Sequence, residues 1–126
     1  MHHPIHANID GIFVTVRDLR KAAIWYGELL GIPVEHENPE GSRHSFRLNG
    51  GTLWLTLREG GPESTPAPSS GVLFNLTATD LQQAHAFVRA QGAPVVRDIE
   101  TLHPGLSFFE FEDPDGNRLM IVSRDA

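Results

Sequence analysis

Two stretches of this chain repeat one pattern, and that repetition limits the available folds more than any other feature. The first reads Ile12-Phe13-Val14-Thr15-Val16-Arg17-Asp18-Leu19, then Ala22, then Leu30-Gly31-Ile32-Pro33-Val34. The second reads Phe74-Asn75-Leu76-Thr77-Ala78-Thr79-Asp80-Leu81, then Ala84, then Gln91-Gly92-Ala93-Pro94-Val95. Residues 12–17 and 72–78 alternate apolar with small or polar side chains, as half-buried strands do. Asp18 and Asp80 are placed to accept backbone N–H groups as helix N-caps, and Asp80 with Gln83 fits a capping box. Leu19, Ala22, Ala23, Tyr26, Leu29 and Leu30 form a stripe at helical spacing, repeated by Leu81, Ala84, Val88 and Gln91 with Phe87 widening it. Gly31 and Gly92 suit the left-handed position that closes a helix.

Three strands are expected after each helix, at about 32–38, 43–48 and 52–58, then about 94–98, 106–112 and 117–123. Asn49-Gly50-Gly51 is a hairpin signal. Asp113-Pro114-Asp115-Gly116-Asn117 is a stronger one, with proline presetting φ and glycine taking a positive φ. Residues 59–70 have linker composition. The expected organisation is one domain over residues 1–126, with module one at about 9–58, a linker at about 59–70 and module two at about 71–123. Each βαβββ unit exposes half a core, so the two must pair their sheets.

Composition removes several functions. The chain has no cysteine, which excludes disulfides, thiolate catalysis and thiolate metal sites. A net charge of −6, one lysine and scattered arginines argue against a nucleic-acid partner. No apolar run approaches a membrane span, and Met1-His2-His3-Pro4-Ile5-His6 lacks the features of a signal peptide. The expected location is cytoplasmic, with no membrane partner.

Two segments carry a resemblance. Val16-Arg17-Asp18-Leu19, Trp25-Tyr26 and Leu30-Gly31-Ile32-Pro33-Val34 are similar to a V-x-D-L…F/W-Y…L-G-F/I pattern. Phe109-Glu110-Phe111-Glu112-Asp113-Pro114-Asp115-Gly116-Asn117 is similar to F-x-F-x-D-P-D-G-N. Both belong to the vicinal-oxygen-chelate superfamily of glyoxalase I, bleomycin-resistance proteins and extradiol dioxygenases. The resemblance spans residues 9–123. It implies an α+β fold in which two tandem βαβββ modules form a curved, partly closed eight-stranded sheet around a cleft, with helices outside. It also implies a homodimer.

Metal-dependent members place ligands on the first and last strand of each module. The matching positions here are Gly11 and Leu73, seven residues before the two capping aspartates, and Met120 with Trp54 on the last strands. None offers an imidazole or carboxylate, and a divalent cation needs several such donors. The expectation is therefore no metal and no cofactor.

Alternation places Ile12, Val14 and Val16 under the first helix, and turns Gly11, Phe13 and Thr15 to the cleft. Leu73, Asn75 and Thr77 are expected to join them, with Arg118, Met120 and Val122, then Thr52, Trp54, Thr56 and Arg58. Phe108, Glu110 and Glu112 alternate against core-facing Phe109 and Phe111, mirrored by Ser45 and Arg47. Ligand-binding candidates are thus Phe13, Thr15, Arg47, Trp54, Asn75, Phe108, Arg118 and Met120, an aromatic floor with a few polar groups. Glu110 is the candidate catalytic acid or base; the competing assignment pairs it with an arginine such as Arg47 or Arg118.

The histidines show no fixed ligand spacing. His2, His3 and His6 lie near a terminus, His36 and His44 on or beside strands, His85 on a helix, and His103 in a loop before Pro104. A rebuilt metal site from His44 or His103 with Glu110 is the variant to test. No nucleophile elbow, P-loop or dinucleotide fingerprint occurs. The leading expectation is a metal-free protein that sequesters an aromatic or cationic small molecule, like bleomycin-resistance proteins. Its alternative is a glyoxalase-like lyase or isomerase, or a dioxygenase, using a non-standard metal site or Glu110. A partner-binding accessory with a vestigial cleft is the third.

Overall fold

The computed structural model describes residues 3–34, 43–60 and 71–124. The chain divides into two units, Met1–Pro66 and Ala67–Ala126. Among the described residues there are two helices and two mixed sheets, of three and four strands, neither closed. No helix among them is long and apolar enough to cross a membrane.

In the first unit, β1 (Gly11–Val16) leads to α1 (Leu19–Leu30), β2 (Arg43–Leu48) and β3 (Leu53–Glu59). The strand order is β1-β3-β2, with β1 parallel and β2 antiparallel to β3. Asp18 caps α1 by accepting the Lys21 N–H at 3.1 Å, and Glu59 reaches across to accept the Leu19 N–H, also at 3.1 Å. Two of the four N–H groups left unpaired at a helix start are thereby satisfied. Gly31 ends the helix with φ 68°, as its position foretold. The stripe of Leu19, Ala22, Ala23 and Tyr26 is buried together with Val14, Val16, Phe46, Leu55 and Leu57. Each large apolar side chain so removed from water contributes about 1.5–3 kcal/mol.

The strand expected at 32–38 does not begin where alternation put it. Ile32–Val34 is irregular, and residues 35–38 lie outside the described residues. Two causes act on the irregular part. Ile32 donates its N–H back to the Gly27 carbonyl at 3.0 Å, and Pro33 has no N–H to give a ladder. The turn Asn49–Gly51 makes the β2–β3 hairpin, with φ values of 54°, 69° and 97°.

In the second unit, β4 (Val72–Thr77) leads to α2 (Leu81–Ala90), β5 (Val95–His103), β6 (Leu106–Glu112) and β7 (Arg118–Arg124). The order is β4-β7-β6-β5, with β4 parallel to β7 and the other pairs antiparallel. Asp80 caps α2 by accepting the Gln83 N–H at 3.0 Å. Phe109 and Phe111 are fully buried on the helix-facing side of β6, as alternation required. The Asp113–Asn117 turn is tightly bonded. One Asp113 carboxylate oxygen accepts the backbone N–H of Asp115 at 2.9 Å and of Asn117 at 2.8 Å, and the other accepts the Asn117 amide at 2.9 Å.

Three expectations need correcting here. β5 runs to His103, not 98, because Pro104-Gly105 makes a tight turn with φ 88° at Gly105, so His103 ends a strand instead of sitting in a loop. Phe87 does not widen the α2 stripe; it is 48% exposed. His85 faces inward in its place, edge-on to Phe109 with centroids 5.1 Å apart. His2, His36 and the linker residues 61–70 lie outside the described residues.

Candidate functional site

Each sheet turns one face to its helix and leaves the other to be considered as a binding surface. In the first unit that other face follows from register. Phe13 pairs with Thr56 and Thr15 with Arg58 across β1–β3, while Ser45 pairs with Thr56 and Arg47 with Trp54 across β2–β3. Partners point the same way, so these residues share a surface. Phe13 is 58% and Trp54 37% exposed. The Arg47 guanidinium carbon lies 4.2 Å from the Trp54 ring centroid, a cation–π stack. Ser45 and Thr56 share a hydroxyl–hydroxyl bond of 2.8 Å. Thr15 completes the row beyond Phe13, half-buried.

In the second unit the corresponding face carries Asn75, Met120, Glu110 and Arg97 in one cross-strand row. Asn75 directs its amide at the Met120 sulfur, 3.9 Å away. Glu110 is 6% exposed, and two guanidinium groups hold it there. Arg97 Nη1 donates to Oε2 at 3.4 Å, and Arg118 Nη1 lies 3.6 Å from Oε1. Arg97 is shared, since its Nε and Nη2 also donate to Glu100 at 3.2 and 2.9 Å. The bidentate bond from Arg97, followed by its charge, holds the Glu100 carboxyl below the ordinary range. In return Glu100 raises the Arg97 guanidinium further above its already high value. Arg97 also lies over Phe108, 5.1 Å from the centroid.

The residues singled out from sequence therefore fall into two groups, each within one unit. Phe13, Thr15, Arg47 and Trp54 lie together on the first sheet. Asn75, Phe108, Glu110, Arg118 and Met120 lie together on the second. Of the two arginines considered for Glu110, Arg118 is a partner within the second unit, 3.6 Å from Oε1. Phe108 is buried beneath Arg97 and presents little surface of its own.

Sequence reasoning missed Arg97 and Glu100: it assigned no faces to the strand expected at 94–98, which holds Arg97, and it ended that strand before Glu100. The Pro104-Gly105 pair, read as a hairpin turn, would have placed both opposite β6.

Register also corrects the alignment of the two halves. Met120 pairs with Asn75, five residues before Asp80; five residues before Asp18 stands Phe13, which pairs with Thr56. The counterpart of Met120 is thus Thr56, two positions along from Trp54. Spacing along the last strands alone could not show this, because strand pairing fixes the counterpart. The positions at issue are then Gly11, Leu73, Thr56 and Met120, still without imidazole or carboxylate. Among the described residues no three His, Asp or Glu side chains come together as a ligand set. These residues do not fit a divalent-metal centre of the expected kind.

A groove of about 460 Å³ opens elsewhere in the second unit, between the end of α2 and the start of β5. His85, Arg89, Pro94 and Asp98 are among its walls. His85 Nε2 comes within 3.0 Å of Asp98 Oδ1, but too obliquely for a hydrogen bond. The groove lies away from the residues singled out above, and only one aromatic ring, the imidazole, lines it. The sheet faces, with stacked aromatics and convergent polar groups, are the better sites.

Residues 8–121 match the family model of the Glyoxalase/Bleomycin resistance protein/Dioxygenase superfamily. Solved structures of the same fold include a glyoxalase/bleomycin resistance protein from Catenulispora acidiphila, 22% identical, covering 92% of this chain and 97% of that one at a TM-score of 0.63. The fosfomycin resistance protein FosX of Listeria monocytogenes is 16% identical over 94% of this chain and 93% of its own, with a TM-score of 0.73. A glyoxalase-related enzyme from Fulvimarina pelagi is 23% identical, covering 93% and 88% of the two chains at 0.72.

Proposed function

Since this chain belongs to the Glyoxalase/Bleomycin resistance protein/Dioxygenase superfamily, we propose that it is a metal-free member that binds and sequesters a small aromatic molecule without converting it. The observation that carries this reading is the state of Glu110. A carboxylate that was to shuttle protons would need an approachable oxygen with a substrate proton in reach. Here one oxygen faces Arg97 and the other Arg118, inside a surface that leaves the residue 6% exposed. It serves as the fixed counter-charge that organises two guanidinium groups. The donor-poor set Gly11, Leu73, Thr56 and Met120 supports the metal-free part.

The finer architecture belongs to the same proposal: two tandem βαβββ modules, eight strands enclosing a cleft, and a homodimer in the cytoplasm. The cationic alternative for the ligand is less well supported, because Glu110 is already paired with two cations.

A thermal-shift panel of flat aromatic compounds tests the reading. A ligand present at a hundred times its Kd adds about 2.7 kcal/mol to stability, enough to raise Tm by several degrees. Stoichiometric zinc, nickel, manganese or iron in protein purified without chelator or histidine tag would overturn it. So would a turnover that Glu110→Gln abolishes, which would install the lyase or dioxygenase alternative.

A further inference from the structure

The first sheet carries an imbalance of charge that its fold does not require. Arg43 and Arg58 are direct cross-strand partners in β2 and β3, and Arg47 lies on the same face two rows away. Alternation assigns the rest of that face, among the described residues, to Gly11, Phe13, Thr15, Ser45, Trp54 and Thr56, so no described carboxylate stands on it. Among the described residues, none of the three arginines makes an ion pair. Like charges directly opposite one another destabilise a sheet. That three arginines should gather on one face of β1–β3 in a chain of net charge −6 is unexpected for a surface with no anion to meet. The second sheet shows the contrast: its arginines 97 and 118 are both matched by glutamate.

The geometry adds a shape to the charge. Arg47 lies against the Trp54 indole at 4.2 Å, which orients the planar guanidinium and leaves its N–H edge for a two-oxygen acceptor. Exposed Phe13 and Trp54 supply apolar surface for a ring. The Ser45–Thr56 pair spends one hydroxyl hydrogen on its mutual bond and keeps the other to donate.

We infer that this face binds a flat aromatic molecule bearing a carboxylate or phosphate, with Arg47 as the oriented anion contact and Arg43 and Arg58 as the supporting field. The inference rests on the small-molecule reading above and names the charge and shape of its ligand.

The test uses the full chain with Trp25→Phe, so that Trp54 is the single indole. Phenyl phosphate, benzoate, benzyl alcohol and benzylamine, matched in ring size, are titrated while Trp54 fluorescence is followed. Saturable quenching by the two anions, at least tenfold tighter than by benzylamine and weakened by salt, is expected. Arg47→Met should lose tenfold or more in affinity with unchanged circular dichroism, and Arg47→Lys should fall between, keeping charge but not the planar fork. Benzylamine binding as tightly as benzoate would overturn the charge assignment and leave the small-molecule reading standing. Silence from all four, with no hit in the wider thermal-shift panel, would sink both. A single-stranded oligonucleotide that binds far more tightly than phenyl phosphate, with a steep salt dependence, would make the face a nucleic-acid surface instead.

Discussion

Arg97 on β5 and Glu110 on β6 are cross-strand partners whose charged ends meet at 3.4 Å, although the arginine side chain is 50% exposed and the glutamate only 8%. The asymmetry decides what each substitution does. Glu110→Gln leaves two guanidinium groups without their shared counter-charge but buries no new ion, and is expected to cost about 1–2 kcal/mol. Arg97→Gln loses a half-exposed partner, with Arg118 still beside Glu110, and is expected to cost roughly 0–1 kcal/mol. Urea unfolding midpoints at constant m-value check both. A Glu110→Gln variant more stable than the parent would mark the carboxylate as strained for function, against the binding reading.

Glu100 gives a pH signature. Its folded-state pKa is depressed below 4.5 by Arg97, so the native state holds the charged form more strongly than the unfolded chain does. That contribution is complete above the unfolded value and is lost as pH falls through the lower folded one. The stability difference between parent and Glu100→Gln should therefore be flat above about pH 5 and shrink with further acidification. A difference that grew on acidification would contradict the pairing.

The two phenylalanines that sequence grouped with buried stripes should separate cleanly. Phe109 is 0% exposed and Phe87 48%. Phe109→Ala should cost about 3–5 kcal/mol through lost burial and a cavity, whereas Phe87→Ala should stay within about 0.5 kcal/mol. Thermal unfolding of the two variants distinguishes them without ambiguity.

Where local chemistry alone decides a feature, it could be read from the chain. Asp18 and Asp80 cap helices because a short acceptor precedes an apolar stripe, and Asp113-Pro114-Asp115-Gly116-Asn117 turns because its proline, glycine and carboxylate each satisfy a backbone need. The faces of β1, β3, β6 and β7 followed from alternation for the same reason. What failed depended on pairing between strands. Strand pairing, not turn spacing, made Thr56 the counterpart of Met120 in place of Trp54, and the length of β5 concealed Glu100. Helical periodicity could not decide between Phe87 and His85, since both lie near the edge of the α2 stripe and packing against Phe109 made the choice. The triple-arginine face was visible residue by residue, yet it acquires meaning only when register sets Arg43 against Arg58.

Gly27 supports the first sheet from behind. It lies in the last turns of α1, buried, and a Cβ built there would stand 2.9 Å from the Ile32 carbonyl oxygen and 3.2 Å from a Val34 methyl. Alanine would normally favour a helix interior by about 1 kcal/mol. Here the backbone that must yield is the segment folded back by the Ile32–Gly27 bond, and overpacking of this kind costs roughly 1–3 kcal/mol. With the Ile32 carbonyl only 2.9 Å away the clash should win, giving Gly27→Ala a net loss of up to about 2 kcal/mol. Gly31→Ala offers the control, because nothing lies within 4 Å of its added carbon and only the positive φ of 68° is penalised, by about 1–2 kcal/mol. Each variant should therefore unfold at lower urea than the parent, for different reasons. A Gly27→Ala protein as stable as the parent, or more so, would show that the α1 terminus can move away from Ile32 without cost to the sheet that carries Arg47 and Trp54.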